Sequence, residues 1–235
     1  MIIQKNLLKL FKHNRIIEKT YPRIKIDLNK YLIDDILGEK LKYLFVLESP
    51  HKKEILSQNK CPAAGKTGIN LTEMIFNNID TEEKIPLGKL LKEYRYNINY
   101  KFKFEGIEKL GIMNVSQIPL QGSAYSNNLR KEYKELFKSL NIIRKDPFAK
   151  NRDSNFTKEL EKEIMRSFVF RIHNILDNNN LIIIPCGHVA KYFYKEYLFL
   201  KDKNSIDDIS HPSNWTGNIE NIRSKIFDWS NINFY

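Results

Sequence analysis

Four short runs of apolar residues punctuate the chain, each feeding a polar loop and then a helical pattern. They are Tyr43–Leu47 (YLFVL), Gly111–Val115 (GIMNV), Leu181–Pro185 (LIIIP) and the shorter Ile206–Ser210 (IDDIS). Continuous rather than alternating apolar runs mark strands buried on both faces, which points to a parallel sheet covered by helices. The helical stretches are Gly68–Asn77, Phe156–Leu176, Val189–Tyr197 and Ile219–Trp229. Leu7, Leu8, Leu10, Phe11, Ile16 and Ile17 also stand at helical spacing, so residues 1–38 read as an N-terminal helical extension packed on the domain. Lys9 and Lys12 interrupt the apolar stretch that a secretory signal would need. Residues 121–153 are polar and basic with few strand signals, and read as a basic insertion with one helix near Lys131–Leu140. The expected fold is α/β: one domain over residues 1–235, a three-layer α/β/α sandwich with a central four-stranded parallel sheet. In such sheets ligands bind at the carboxyl edge of the strands, and all four unusual loops follow a strand.

Composition narrows the class. Hydrophobic residues make up 42% and charged residues 29%, the balance of a water-soluble globular domain, and no apolar run approaches the ~20 residues of a membrane helix. Two cysteines, Cys61 and Cys186, build neither a disulfide framework nor a four-cysteine metal or iron–sulfur site, so a reducing cytoplasm is expected. The excess of 39 Lys+Arg over 28 Asp+Glu gives +11 at pH 7, which suits a nucleic-acid partner, although a lysine-rich proteome explains it equally.

Taken singly, the loops are weak signals. Gly65-Lys66-Thr67 ends like a phosphate-binding loop, but Lys60 stands where that pattern needs glycine and no strand lies directly upstream. Glu48-Ser49-Pro50-His51 pairs a carboxylate with an imidazole, the makings of a general base and its helper. His13, His51, His173, His188 and His211 are scattered, so no metal site is expected.

The combination is more specific. In order the chain runs strand-Glu-Ser-Pro-x-x-x-Glu, Pro-x-x-Gly-x-x-Gly-x-x-Leu, strand-Asn-Val, Leu-Ile-Ile-Ile-Pro-x-Gly-x-x-Ala and His-Pro-Ser. Over roughly residues 41–229 this resembles the uracil-DNA glycosylase superfamily. It is closest to the bacterial and archaeal branch whose first motif reads Gly-Glu-Ala-Pro-Gly, followed by Pro-Phe-x-Gly-x-x-Gly. The resemblance implies that fold, the cleavage of a base from DNA, and no metal or organic cofactor. It gives Glu48 the hydrolytic water, with His51 beside it. Asn114 reads the Watson–Crick edge of the flipped base, and His211 donates to the base oxygen as charge builds on the leaving group. Ser49, Gly187 and Ser213 contact phosphates, and Trp215 takes the place of the leucine that wedges the duplex. Apart from the resemblance, the basic charge of Lys52, Lys53 and Lys66 beside these loops makes them expected DNA contacts.

Three departures qualify the likeness. Leu47 and His51 stand where the first motif has glycines, Ala63 replaces the phenylalanine that stacks on uracil, and the four cluster cysteines of that branch are absent. Ala63 suggests a pocket for a larger, modified pyrimidine, unless Tyr125 or Phe102 fills the gap. The expectation is therefore a cytoplasmic, monomeric DNA glycosylase acting on double- or single-stranded DNA, in base-excision repair or in defence against phage DNA with modified bases. The competing class is a non-catalytic module that binds modified or damaged DNA.

Overall fold

The computed structural model describes residues 28–56, 60–76, 84–94, 96, 103–149, 152, 154–175, 181–198 and 212. Within these residues four strands form one sheet: β1 (Ile36–Leu37), β2 (Tyr43–Leu47), β3 (Leu110–Asn114) and β4 (Ile182–Pro185), in the spatial order β1-β3-β2-β4. Strands β3, β2 and β4 run parallel, with Phe45 opposite Ile112 on one side and Ile184 on the other. These are the first three strands expected, each within a residue or so of its apolar run.

The sheet is mostly rather than wholly parallel, which corrects one expectation. Its fourth described strand, β1, pairs antiparallel with β3 through Ile36 opposite Ile112 and Leu37 opposite Gly111. Two half-buried residues are too short for any periodicity to register. What holds β1 in place is main-chain contact: Gly38 N–H donates to Leu110 O at 2.8 Å, and a Cβ on Gly38 would sit 2.1 Å from Glu108 O. The expected strand over 206–210, the helix over 219–229 and the N-terminal helical pattern lie outside the described residues.

The side chains of β2 explain why it reads as an unbroken apolar run. Successive residues point to opposite faces. Leu44 and Val46 join a core with Met113, Ile183 and the helices α4 (Lys134–Lys145), α5 (Asn155–His173) and α6 (His188–Leu198). Tyr43, Phe45 and Leu47 join a second core with Ile112, Ile184 and the helices α1 (Lys66–Ile75) and α2 (Leu87–Glu93). All five β2 residues are buried, so helices cover both faces of the sheet. Truncating Phe45 to alanine would cost ~3–5 kcal/mol by the usual scale for buried aromatics.

The described residues of 121–153 carry two α-helices, not the single one expected: α3 (Asn127–Glu132) and α4. Tyr133 (φ −114°, ψ 46°) ends the first and begins the second, a break that helical periodicity does not reveal. Helix α4 packs on α5 and buries Leu136, Phe137, Leu140 and Ile143 in the first core, so this basic segment is built into the helical layer. No helix among the described residues is long and apolar enough to cross a membrane.

Candidate functional site

Parallel pairing brings the carboxyl ends of β2, β3 and β4 to one edge, and the main chain stays in register as the loops leave it. Val115 N–H donates to Leu47 O at 2.8 Å, Ser116 N–H to Glu48 O at 3.2 Å and Cys186 N–H to Val46 O at 2.8 Å.

Asn114 is the last residue of β3. Its side chain is buried, 1% exposed, and among the described residues neither Oδ1 nor Nδ2 has a hydrogen-bond partner. Its main chain is held on both sides. Asn114 N–H donates to Asp35 Oδ1 at 3.3 Å, and Asn114 O accepts from Arg171 Nη2 at 2.7 Å. The same nitrogen reaches Val115 O at 2.7 Å, while Arg171 Nη1 grips both Asp35 oxygens at 2.8 and 2.7 Å. Burial raises the Asp35 carboxyl above its ordinary range against the opposing pull of the Arg171 guanidinium and the Asn114 N–H. A buried amide with no partner costs roughly 1–3 kcal/mol. Here the scaffold fixes such an amide in place and leaves its donor and acceptor for something else.

Glu48, the first residue after β2, is the mirror case. Its Oε1 accepts from Arg144 Nε at 2.7 Å and, at 3.5 Å, from the Ser49 hydroxyl. Ser49 Oγ in turn accepts from Leu120 N–H at 3.2 Å, tying the β2 loop to the β3 loop. Arg144 lies in the last turn of α4, and its own carbonyl is 3.1 Å from His188 Nε2 at the start of α6. One residue of the basic segment thus joins the loops that follow β2 and β4.

His51 is exposed, and its Nδ1 accepts a long 3.4 Å bond from Lys53 N–H; Lys52 and Lys53 are exposed beside it. The buried member of this loop is Glu54, 7% exposed, which accepts from His51 N–H at 3.1 Å and from the N–H groups of Ala63 and Ala64. Burial pushes its carboxyl from 4.5 up to about 7 even so. Ala63 occupies the left-handed region (φ 52°), a strain of ~1–2 kcal/mol for a residue with a side chain. Its neighbours leave the loop just enough room. A Cβ on Gly68 would lie 1.8 Å from Ala63 O, and one on Gly88 would lie 1.8 Å from Pro62 O. The loop is therefore wedged between α1 and α2, and the Ala63 side chain is fully buried in the second core. Tyr125 sits in the first core, across the sheet, with its hydroxyl donating to Pro119 O at 2.7 Å, so it does not fill space beside Ala63. Phe102 lies outside the described residues.

His211, Ser213 and Trp215 also lie outside the described residues. Their neighbour Pro212 does not: its carbonyl accepts from Asn70 Nδ2 of α1 at 2.5 Å, which brings Pro212 to the helix that follows the Ala63 loop. Gly187 joins β4 to α6 with φ 86°, a conformation that glycine adopts without strain. Lys66 is exposed as the first residue of α1. Among the described residues no three His, Cys, Asp or Glu side chains gather in a way that would hold a metal ion.

Asp35, Arg171 and Glu54 do the supporting work at this edge, and no motif singles out the first two. Asp35 lies beside a two-residue strand, and Arg171 reads as one more charge near the end of an amphipathic helix. Glu54 closes the Glu-Ser-Pro-x-x-x-Glu segment, the only sequence signal any of the three gives. The chain matches no protein-family model and no curated protein.

Proposed function

We propose that the chain is a monofunctional DNA glycosylase that hydrolyses the N-glycosidic bond of a flipped, deaminated or modified pyrimidine. The observation that carries this reading is the Asn114 amide, buried, unpartnered and braced by its own main chain at the carboxyl edge of a mostly parallel sheet. A carboxamide offers one acceptor and two donors, the complement of a base edge. A base lifted from the stack at a cost of a few kcal/mol would regain part of that cost by satisfying it.

The other parts supply what the chemistry asks for. Bond cleavage leaves an oxocarbenium-like sugar and a base anion, which call for a positioned water and a donor at the base oxygen. Glu48 accepts the water's hydrogen bond, and Arg144 holds that carboxylate in one orientation. His211, next in sequence to Pro212, is the donor. The basic side chains Lys52, Lys53 and Lys66 bind the phosphates, and Trp215 fills the space the base vacates. The order of motifs resembling the uracil-DNA glycosylase superfamily supports the same assignment. The Ala63 side chain is buried in the second core, so its size does not select the base, and the larger modified pyrimidine stands only as the class that the departure from the resembled motif leaves to be tested against uracil.

One observation favours a second reading. A carboxylate whose Oε1 is already held by a guanidinium at 2.7 Å suits a module that binds modified or damaged DNA without turnover. Incubation with DNA carrying uracil, hydroxymethylcytosine or glucosylated bases, followed by alkali, separates the two. Strand breaks that vanish in Asn114→Ala and His211→Ala support the enzyme, whereas binding without abasic sites on every substrate supports the module. ATP hydrolysis lost in Lys66→Ala would overturn both. Efficient excision of uracil with bulky bases ignored would sink the larger-base assignment alone.

A further inference from the structure

A groove of about 370 Å³ opens between the loop after β3 and the basic helical segment, lined by Gln121, Ser123, Arg130, Asn141 and Arg144 over a floor that includes Phe137. Its size falls at the small end of the range for ligand sites, ~300–1,000 Å³, and suits one nucleotide unit rather than a stretch of strand. Among the described residues no acidic side chain lines it. Arg130 donates to the neutral amide oxygen of Asn127, which leaves its charge uncancelled by that partner. Arg144 gives its Nε to Glu48, and a guanidinium has two further nitrogens on the other edge of its fork. Two guanidiniums facing one groove beside two carboxamides and a hydroxyl form the chemistry of a phosphate and its adjoining sugar or base edge.

We infer that this groove is a phosphate subsite holding one nucleotide of the bound strand, its phosphate shared between Arg130 and Arg144, next to the position of the reacting nucleotide. The inference rests on the nucleic-acid reading of this edge and adds to it. Arg144 then has two anionic partners at once, Glu48 on Nε and the phosphate on its terminal nitrogens. A strand seated in the groove would fix the guanidinium that orients Glu48. Glu48 is thereby better ordered with DNA bound than without it. This also gives the basic segment of residues 121–153 a defined job, where its sequence offers only charge.

The test measures binding of a labelled, undamaged oligonucleotide, single- and double-stranded, by fluorescence anisotropy across a range of salt. Arg130→Gln and Ser123→Glu alter exposed positions, and matched melting curves confirm that they fold. Arg130→Gln should weaken binding ~5- to 10-fold at low salt and lower the slope of log K against log salt by about one phosphate contact. Ser123→Glu, which places a carboxylate in the groove, should weaken it further. Lys162→Gln removes one exposed charge from α5, far along the chain from the groove, and should change neither quantity. Inorganic pyrophosphate should compete with the oligonucleotide on the wild type and lose that effect in Arg130→Gln. An unchanged slope in both groove variants overturns the subsite, as does an equal loss in Lys162→Gln, which would reduce the effect to bulk charge. No excision is needed for this readout. Groove variants with a reduced slope in a chain that never releases a base keep the subsite and discard the glycosylase. Normal salt slopes in an active glycosylase do the reverse.

Discussion

The ends of β2 and β3 lie side by side and meet the candidate site in opposite ways. At β3 the main chain of Asn114 is held by Asp35 and Arg171, and its side chain has no partner among the described residues. At β2 the side chains are partnered: Glu48 through Oε1 by Arg144 and Ser49, Glu54 by three backbone N–H groups. Native structures rarely leave a buried amide empty, so the β3 end has the form of a place kept for a ligand. The β2 end has the form of a loop stabilised in advance. Rigid support on one strand and unmet bonding capacity on the next is how a fold aims a polar group without letting it collapse onto its own backbone.

The support itself is the first place to break this contrast. Arg171→Met leaves the part-buried Asp35 without its counter-charge and strips two carbonyls of this donor. Removing one partner of a fully buried pair typically costs ~3–5 kcal/mol, and with side chains 13% and 12% accessible this variant should lose somewhat less, about 3 kcal/mol, in urea denaturation. A loss under ~1 kcal/mol would mean that Asn114 is held by something other than this pair.

The β2 loop should reveal itself through pH. Burial raises the Glu54 carboxyl from 4.5 to about 7, so between those values the folded chain keeps a proton that the unfolded chain releases. Stability from this group is therefore fully present below about pH 4.5, falls as pH climbs toward 7 and levels off above. A shift of that size corresponds to ~3 kcal/mol across the window. Asp35, also raised by burial, adds a slope of the same sign. Glu54→Gln keeps an acceptor for the loop but cannot titrate. Denaturation midpoints measured from pH 5 to 8 should fall less steeply in it than in the wild type, and it should be the more stable of the two at pH 8. Parallel slopes would show that Glu54 is ionised throughout.

How far the sequence reaches follows the same division. The three parallel strands are readable because burial on both faces writes a continuous apolar run, and the order of loops along the edge follows from them. Asn114 and Glu48 are readable because they end those runs. What holds them is not. Asp35 and Arg171 meet across a sequence separation of 136 residues, a pairing that no local pattern encodes. The antiparallel strand β1 is two residues long and depends on Gly38 fitting against Glu108 O. Ala63 reads as a substitution in a pocket wall, yet its side chain lies wholly in the core with a left-handed backbone. That conformation depends on Gly68, Gly88 and Glu54 together, three residues whose cooperation appears only in three dimensions.

Asn114 itself tests the other half of the contrast. If its amide is kept for a ligand, it costs the unliganded protein stability, and Asn114→Leu, close in shape, should raise stability by ~1–3 kcal/mol. The same variant should lose base excision by at least ~100-fold, about 2.7 kcal/mol of transition-state stabilisation. Thermal denaturation and excision assays on one preparation would show the two effects running in opposite directions. A variant that is both less stable and inactive would return Asn114 to a structural role.

The smallest expected effect on stability is the most informative about mechanism. The Arg144–Glu48 pair is partly exposed, with side chains 34% and 15% accessible, so Arg144→Gln should cost only ~0.2–1 kcal/mol in folding. Its effect on excision depends on what Glu48 is for. If Glu48 handles water, Glu48→Gln removes a group worth ~10²–10⁴ in rate. Arg144→Gln merely releases that group from its orientation and should cost about tenfold. In the double variant the loss of Arg144 should then add almost nothing, because there is no carboxylate left to orient. If Glu48 serves only to hold Arg144 for a phosphate, the order reverses. Arg144→Gln then weakens DNA binding more than Glu48→Gln does, and the double variant follows Arg144→Gln. A cycle of these three variants, read in both excision rate and DNA affinity, tells a working carboxylate from a structural one even though the two leave the folded protein looking the same.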